Sequence, residues 1–338
     1  MAERNSPQER IWDINAGFWK ARALYAAARL GIADLIARGV DTDASLAKTL
    51  KADARSLFRL LRFLCSFGIF AQRQDGRFEL TELGTLLRND VSGSMRALVI
   101  FQNGDPLYAA WGDVVRSIRA GDEAFTHVHG MNLFAYNAQH PEENDIFNSA
   151  MVSSSGTFVD DLAEGYPFGS ISSVADIGGG IGRTLVALLK RHPHLRGLVY
   201  DTPMVYAAAQ RYVEDQGMQD RCEVRSGDFF QSVPQGYDLY MMSRIIHDWD
   251  DERATVILRT CRGAMRDASR LLILERVVPP PNQPSAATAT DVLMMLVMGG
   301  RERTHDEYQA LLEAAGLTLL STTPIASEMH IVEAGPRT

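Results

Sequence analysis

A histidine and two glutamates lie within apolar segments or next to predicted elements, where a carboxylate could hydrogen-bond to the imidazole. His247 lies in "SRIIHDWDD" (243–251), after an apolar run that predicts a buried strand. Glu275 interrupts the apolar run "LLILERVV", and Glu302 lies in "GGRERT", just before a helix start signal. A buried carboxylate without a partner is costly, so we expect both glutamates to reach His247, where one can fix its tautomer and raise its basicity. The three residues predict a general base for a hydroxyl such as a phenol; a structural role for each is the alternative.

A glycine-rich loop, "VADIGGGIG" (174–182), predicts a nucleotide site. Gly178, Gly180 and Gly182 form G-x-G-x-G, one residue tighter than the G-x-G-x-x-G that holds the pyrophosphate of a nicotinamide dinucleotide. Asp176 ends the strand before the loop, where its carboxylate would repel a pyrophosphate and attract an ammonium. S-adenosylmethionine carries an ammonium and a sulfonium and has no phosphate. The loop therefore favours S-adenosylmethionine over a nicotinamide cofactor.

Two further acids follow the next two strand patterns. Asp201 ends the second pattern, where it can accept from ribose hydroxyls of either cofactor. Asp228, in "SGDFF", follows the third pattern and can accept from an adenine amino group, with Phe229 packing on the ring. The alternative is that both aspartates only cap helices or turns.

From residue 171 onward, strand and helix patterns alternate, which predicts a parallel sheet covered on both faces. Open sheets of this kind place their sites at the carboxyl ends of the strands. Thr304 and Glu307 form a capping box for a late helix that ends at Gly316. Two strand patterns follow it, 317–323 and 328–334, and must pair antiparallel because a parallel crossover needs a dozen or more residues. The other predicted strands are 172–177, 197–201, 221–226, 237–242 and 270–278, and the predicted helices are 183–191, 203–217 and 251–266.

The N-terminal region predicts helices followed by a hairpin. A first helix within 18–39 stops at Gly39, two more helices follow, and Asp75-Gly76 marks a β-hairpin. Helix–helix–helix–hairpin is the pattern of a winged helix, which in many proteins binds DNA. The third helix offers only a thin basic patch, so we favour dimerisation over DNA binding. The apolar residues that exceed what a domain of this size buries alone are Trp12, Phe18, Trp19, Leu24, Tyr25, Leu30, Leu57, Leu60, Leu61 and Leu64.

The composition and charge exclude several classes of protein. The chain has 338 residues, 46 % of them apolar, and a net charge of −8, which does not suggest a general nucleic-acid or membrane-surface binder. Its three separated cysteines, its polar N-terminus and the shortness of its apolar runs predict a cytoplasmic protein. His127 and His129 invite a metal site, but no third ligand is evident, and we predict none.

Six motifs carry a family resemblance. "VADIGGGIG", "YDTPMV", "SGDFF", "IIHDWDD", "LERVVPP" and "GGRERT", in this order, resemble the dimeric small-molecule O-methyltransferases that use S-adenosylmethionine. These include plant phenolic enzymes and bacterial enzymes that methylate polyketides, carotenoids and phenazines. The likeness covers nearly the whole chain. It implies a Rossmann-like α/β methyltransferase domain (101–338, with a helical substrate-binding segment at 101–165) after a winged-helix dimerisation domain (1–100).

The resemblance also implies roles for single residues. His247 matches the general base, flanked by Glu275 and Glu302. Plant relatives have a lysine where this chain has Ser243, and Met298 stands in a shortened segment from which their asparagine is lost. The implied cofactor residues are Asp176, Gly178, Gly180, Asp201, Asp228, Phe229, Ser243, Trp249 and Ser155, and the implied substrate wall is Leu107, Leu133, Phe147, Met151, Met294 and Met298.

The sequence therefore predicts methyl transfer from S-adenosylmethionine, without a metal, to a hydroxyl of a small aromatic compound. The products would be the methyl ether and S-adenosylhomocysteine, and the enzyme would be a homodimer. Two alternatives stay open: a relative that binds the cofactor but hydroxylates or decarboxylates, and a winged-helix regulator that senses a ligand. Retention of His247 with both glutamates argues against the first.

Overall fold

The structure, a computed structural model, describes residues 6–155 and 158–337. The chain forms two compact units. The first runs up to Ala109 and includes Phe134–Ser154, and the second holds Ala110–Leu133 and the chain from Ser155 onward. The helices at 134–154, which the sequence analysis grouped with the methyltransferase domain, thus belong to the N-terminal unit.

The first unit has helices followed by a hairpin, as predicted, but four helices precede the hairpin instead of three. Apolar residues of its first four helices and both strands share one core, which includes Ile32, Leu61 and Phe70. The hairpin strands pair antiparallel around the turn at Gly76, as predicted. The elements are α1 (Pro7–Leu30), α2 (Ile32–Ala37), α3 (Asp43–Leu50), α4 (Ala54–Ser66), β1 (Phe70–Gln72), β2 (Phe78–Leu80), α5 (Glu82–Thr85) and α6 (Arg96–Asn103).

The first helix begins and ends earlier in the chain than predicted. A capping box between Ser6 and Glu9 starts α1, and Gly31 ends it with a left-handed φ of 66°. The chain then turns into α2, so the helix predicted to stop at Gly39 is broken eight residues earlier. Helices commonly end at a residue in the left-handed conformation, which glycine adopts without strain. Gly31 was therefore a possible helix terminator in the sequence, but the apolar periodicity that continues past it favoured an unbroken helix.

One side of α1 stays uncovered within its own unit. Ile11, Trp12, Ile14, Phe18 and Trp19 keep between 46 and 75 % of their surface exposed. By contrast, three of the leucines predicted to exceed the core lie buried in it, namely Leu57, Leu61 and Leu64. The apolar excess of this unit is therefore concentrated on α1.

Short helices follow α6. They are α7 (Asp105–Gly112), α8 (Val114–Ala120), α9 (Ala124–His129), α10 (Leu133–Gln139), α11 (Pro141–Ser155) and α12 (Val159–Gly165). No helix in the two described stretches is both long enough and apolar enough to cross a membrane.

The second unit contains the sheet. Its strand order is β5-β4-β3-β6-β7-β10-β9, parallel except for the terminal antiparallel hairpin, with β8 beside β7. The predicted strands and their hairpin are confirmed. The elements are β3 (Ser173–Ile177), α13 (Arg183–Arg191), β4 (Arg196–Asp201), α14 (Pro203–Asp215), β5 (Cys222–Ser226), β6 (Leu239–Ser243), α15 (Asp251–Ala264), β7 (Arg270–Val278), α16 (Ala286–Val297), β8 (Arg303–Thr304), α17 (His305–Ala314), β9 (Leu317–Pro324) and β10 (Met329–Pro336).

Alternation along the strands fills both faces of this sheet. Leu239 and Met241 of β6 pack into a cluster with α12, α13 and α14, whereas Tyr240 and Met242 pack into a second cluster with α15 and α17. Strands buried on both faces are rigid supports, so the loops at their carboxyl ends are held in fixed positions.

Candidate active site

The glycine loop follows β3 and needs its glycines. Gly178, Gly180 and Gly182 have φ values of 70°, 58° and 86°, all left-handed. A Cβ at Gly178 would overlap the side chain of Ile245, two residues before His247, and a Cβ at Gly182 would lie 2.7 Å from Val199 Cγ2. The glycine loop is thus packed against Val199 of β4 on one side and against Ile245, which follows β6, on the other. The predicted cofactor loop therefore lies close to the segment that carries His247.

Asp176 lies beneath this loop and is 1 % exposed. Neither of its carboxylate oxygens has a hydrogen-bond partner in the part of the chain that the structure describes. Burial, with the nearby charge of Asp201, raises the pKa of Asp176 to about 8. A buried acid that lacks a donor fits a site completed by a cationic ligand group, as the sequence predicts for the cofactor ammonium.

Asp201 and Asp228 hold their own loops. Asp201 accepts from the backbone N–H of Gly180 at 2.8 Å and of Thr202 at 2.6 Å. Burial raises the pKa of Asp201 in spite of these hydrogen bonds. Asp228 accepts from the backbone N–H of Phe230 at 2.9 Å. Both aspartates therefore cap turns of their own loops, and Asp201 also ties the end of β4 to the glycine loop.

Aromatic rings gather beside Asp228. The Phe229 ring centroid lies 6.3 Å from that of Trp249, and Phe230 packs edge-on to Trp249 at 4.9 Å. The guanidinium of Arg253 covers the Trp249 ring at 4.7 Å. The buried Trp249 Nε1 has no partner among the described residues. Ser243, the last residue of β6, is half-buried at the same end of the sheet.

His247 and Glu302 form the pair that the sequence predicts. His247 Nδ1 and Glu302 Oε1 are 2.8 Å apart, and the two side chains are 9 and 0 % exposed. Burial lowers the pKa of His247, but the hydrogen bond that Nδ1 donates to Glu302 and the charges of Asp248, Glu275 and Glu302 outweigh it and raise that pKa to about 9. A carboxylate on Nδ1 orients the ring so that Nε2 is the nitrogen that exchanges a proton.

Asp248 is a site residue that the sequence analysis missed. Its Oδ1 lies 3.5 Å from His247 Nε2, longer than an ordinary hydrogen bond. Burial raises the pKa of Asp248 to about 6, although the charge of His247 lowers it. The signal was the acid next to the histidine in "HDW", but adjacency in sequence does not say whether a side chain points into a site.

Glu275 corrects one expectation. It is fully buried, as predicted, but none of its hydrogen bonds among the described residues goes to the imidazole. Its Oε1 accepts instead from the backbone N–H groups of Ile245, Ile246 and His247, at 3.0, 2.6 and 3.2 Å. The turn after β6 points its amides at β7, and these amides satisfy the carboxylate that the sequence analysis assigned to the histidine ring.

The predicted substrate-wall residues are divided between the units. Leu107, Phe147 and Met151 belong to the first, in which the Phe147 ring lies 5.3 Å from that of Phe101. Leu133, Met294 and Met298 belong to the second. Leu107 and Leu133 are buried, with 2 and 3 % exposed. The predicted cofactor contact of Ser155 falls outside the residues whose side chains the structure describes.

His127 and His129 each contact a different neighbour. His127 Nδ1 lies 3.0 Å from Asp113 Oδ2, and the His129 ring packs 4.4 Å from that of Phe125. Over residues 6–155 and 158–337, no group of three or more His, Cys, Asp or Glu side chains could hold a metal ion.

Comparisons with known proteins agree on one family. Residues 108–318 match the family model for the O-methyltransferase domain, and residues 12–90 match that for the O-methyltransferase dimerisation domain. A phenazine O-methyltransferase of Lysobacter antibioticus is 39 % identical over 320 residues, which are 95 % of this chain and 94 % of that protein. The structure of a mitomycin 7-O-methyltransferase matches with a TM-score of 0.91 at 34 % identity, over 99 % of both chains. An O-methyltransferase from neocarzinostatin biosynthesis, solved with S-adenosylmethionine and 2-hydroxy-5-methyl naphthoic acid, matches with a TM-score of 0.82 at 33 % identity, over 94 % of this chain and 95 % of that one.

Proposed function

The chain belongs to the O-methyltransferase family, and from that premise we propose that His247 is the general base that deprotonates the hydroxyl of a small aromatic acceptor. The supporting observation is the buried His247–Glu302 pair at the carboxyl end of β6, beside the glycine loop. It combines a base, a carboxylate that stabilises its charged form, and proximity to the predicted cofactor loop.

The family match confirms the coarser predictions. The protein is an S-adenosylmethionine-dependent O-methyltransferase of α/β fold, and its dimerisation domain supports the homodimer. Neither of the two alternatives left open, a relative that hydroxylates or decarboxylates and a ligand-sensing regulator, is favoured by these matches.

The proposed cofactor contacts follow the strand ends. We assign the ammonium to Asp176, whose buried oxygens lack donors in the described structure, and the ribose to Asp201. Asp228 and the rings of Phe229 and Trp249 would hold the adenine, with Arg253 fixing the Trp249 ring. Ser243, Ser155, Gly178 and Gly180 complete the predicted set. S-adenosylmethionine, when bound, supplies a methyl group on a sulfonium, so the new C–O bond forms as the C–S bond breaks and sulfur keeps the electron pair.

The raised pKa of His247 suits this chemistry. A phenol has a pKa of about 10, and an ordinary histidine, with a pKa of about 6.5, is a poor match for its proton. With a pKa of about 9, His247 is a much stronger base. The same shift keeps most of the imidazole protonated at neutral pH, so the fraction of neutral His247 that can accept a proton grows as the pH rises toward 9. The hydroxyl proton passes to Nε2, and Glu302 then faces the imidazolium through Nδ1.

The acceptor class rests on the relatives. The proteins named above act on a phenazine and a mitomycin or were solved with a naphthoic acid. We propose a small, flat, hydroxylated aromatic compound of secondary metabolism for this enzyme. The substrate wall stays a prediction.

We also propose that the enzyme works in the cytoplasm. Cys65, Cys222 and Cys261 are all free thiols, and the last two are buried. Burial raises the pKa of the Cys222 thiol to about 12. Unreactive, unpaired cysteines fit a reducing compartment, which fractionation of the producing cells would test.

An acceptor panel tests the proposed function. The enzyme is incubated with S-adenosylmethionine and hydroxylated phenazines, naphthoates and benzoates, and the products are identified by mass and by the position of the new methyl group. The matched control for each acceptor is its methyl ether, which offers no hydroxyl. We expect methyl ether formation and S-adenosylhomocysteine in equal amounts. Hydroxylated or decarboxylated products without methyl transfer, or methylation confined to amino groups, would contradict the proposal.

A further inference from the structure

His247 belongs to a short 3₁₀ turn, Ile246–Asp248, between β6 and α15. Such a turn has little stability of its own. Its orientation, and with it the direction of the imidazole, depends on what binds the backbone N–H and C=O groups of residues 245–249.

The N–H groups are held from the β7 side by one oxygen. Glu275 Oε1 accepts from three consecutive amides, those of residues 245–247. Hydrogen bonds to a charged acceptor are about twice as strong as neutral ones. The carboxylate is fully buried, so water does not compete for it.

The other oxygen of Glu275 is held by α17. The hydroxyl of Tyr308, also fully buried, donates to Glu275 Oε2. Burial and the charge of Glu275 raise the pKa of Tyr308 well above its ordinary value, so the hydroxyl keeps the proton that it donates. Fixing the second oxygen sets the rotation of the carboxylate and therefore the direction from which the first one meets the amides.

The C=O groups are held from β8. The Arg303 guanidinium, 0 % exposed, donates to the carbonyl of Ile246 at 3.1 Å and to that of Trp249 at 2.9 Å, and it also pairs with Asp251. The backbone N–H of Arg301 donates to the carbonyl of His247 at 2.9 Å. The preceding residue, Gly300, packs so closely that a Cβ would overlap the same carbonyl.

We propose that Tyr308, acting through Glu275, and Arg303, acting on the carbonyls, are positioning residues that set the orientation of the His247 imidazole. We call this arrangement the backbone clamp. In it, the Glu275 carboxylate accepts from the backbone N–H groups of residues 245–247, and the Arg303 guanidinium donates to backbone carbonyls of the same turn. The role of Glu275 is then distinct from that of Glu302, which contacts the ring itself. This inference rests on the proposed function of His247.

Tyr308→Phe tests the backbone clamp because it removes one hydroxyl and keeps the ring. A misplacement of about 1 Å in a catalytic group costs up to ~10²-fold in rate, so we expect kcat to fall between ~10- and ~10²-fold. The affinity for S-adenosylhomocysteine should stay at its wild-type value, because Tyr308 binds Glu275 and Glu275 binds only the amides of residues 245–247, none of which is in the predicted cofactor set. The pH at which the rate rises should also stay unchanged, because the Glu302 hydrogen bond to the ring is intact.

Tyr240→Phe is the matched control. Tyr240 is equally buried, and its hydroxyl donates to the carbonyl of Ala264 at 2.9 Å, within the same core cluster but away from residues 245–249. We expect both variants to lower the melting temperature and only Tyr308→Phe to lower kcat. An equal loss of kcat in the two variants, or wild-type kcat in Tyr308→Phe, would overturn the clamp.

Arg303→Lys decides the question if Tyr308→Phe does not fold. Lysine keeps the charge beside Asp251 but lacks the planar fork that reaches both carbonyls. The same loss of kcat supports the clamp, and wild-type kcat overturns it. Cofactor affinity is not a criterion for this variant, because Arg303 also binds the carbonyl of Trp249, a predicted cofactor residue. His247→Ala separates the two proposals. If that variant keeps wild-type kcat, the base proposal fails; if it is impaired while the clamp variants are not, only the clamp fails.

Discussion

Replacing Glu302 by glutamine is expected to lower the pKa of His247, so that the enzyme's rate rises at a lower pH than in the wild type. The Nδ1–Oε1 hydrogen bond of 2.8 Å joins two buried side chains, and it is the largest of the influences that raise the pKa of His247. An opposite charge at this range shifts a pKa by ~1–3 units, which is ~1.4–4 kcal/mol. Without that charge, burial lowers the pKa of His247 with less opposition.

The expected profile follows from the sign of this shift. The base must be neutral to act, so wild-type kcat/KM should rise with pH up to about 9, the pKa of His247 in the free enzyme. In Glu302→Gln the rise should occur ~1–3 units lower, and the plateau should be lower because the base is weaker. The deficit of the variant should therefore be largest above pH 9 and should shrink toward pH 6.

The assay is initial-rate methyl transfer at subsaturating acceptor from pH 6 to 10, with an acceptor whose own pKa lies outside this range. Glu252→Gln is a control, because this acid lies exposed in the first turn of α15. A Glu302→Gln profile that is uniformly lowered, with its rise at the wild-type pH, would refute the idea that Glu302 sets the basicity of His247.

Three further expectations follow from other parts of the structure. Asp176, with a pKa of about 8 in the free protein, should lose its proton when the cofactor ammonium binds. The affinity for S-adenosylhomocysteine should therefore increase by up to ~10-fold per pH unit between pH 6 and 7.5. Calorimetry in two buffers would show the released proton, and Asp176→Asn should release none. Because the folded-state pKa of His247 lies above its ordinary 6.5, the stability that its charge contributes is complete below pH 6.5 and is lost as the pH rises toward 9. The free energy of unfolding in urea should therefore fall by ~3 kcal/mol more in the wild type than in His247→Ala over that range; equal losses in both proteins would contradict this. Trp12→Glu combined with Trp19→Glu should turn the dimer into a monomer in sedimentation, whereas Leu320→Glu, at a position 49 % exposed, should not; a dimer that survives both tryptophan changes would mean that α1 is not the interface.

The sheet was predictable because its strands carry their own periodicity. Leu239 to Met242 alternate between two buried faces, and the short spacing before the last strand allows only an antiparallel hairpin. The His247–Glu302 pair was predictable because His247 follows a strand, Glu302 stands just before a helix start, and the family resemblance places an acid beside the base.

What could not be predicted depends on the direction of single groups. A buried acid in β7 is satisfied equally by an imidazole or by backbone amides, and only the path of the turn after β6 decides that Glu275 meets amides. The break at Gly31 was hidden because apolar periodicity continues across it. The grouping of residues 134–154 with the first unit reflects packing between segments distant in sequence, which no local pattern records.

The general-base role of His247 is tested most directly by comparing His247→Ala with the wild type on two accepting phenols, one weakly and one strongly acidic. General-base removal costs ~10²–10⁴-fold. We expect a loss of this size in kcat with the weakly acidic phenol, a much smaller loss with the phenol that is already ionised at the assay pH, and unchanged affinity for S-adenosylhomocysteine. Wild-type kcat for His247→Ala with the weakly acidic phenol would contradict the account and leave positioning alone to carry the reaction.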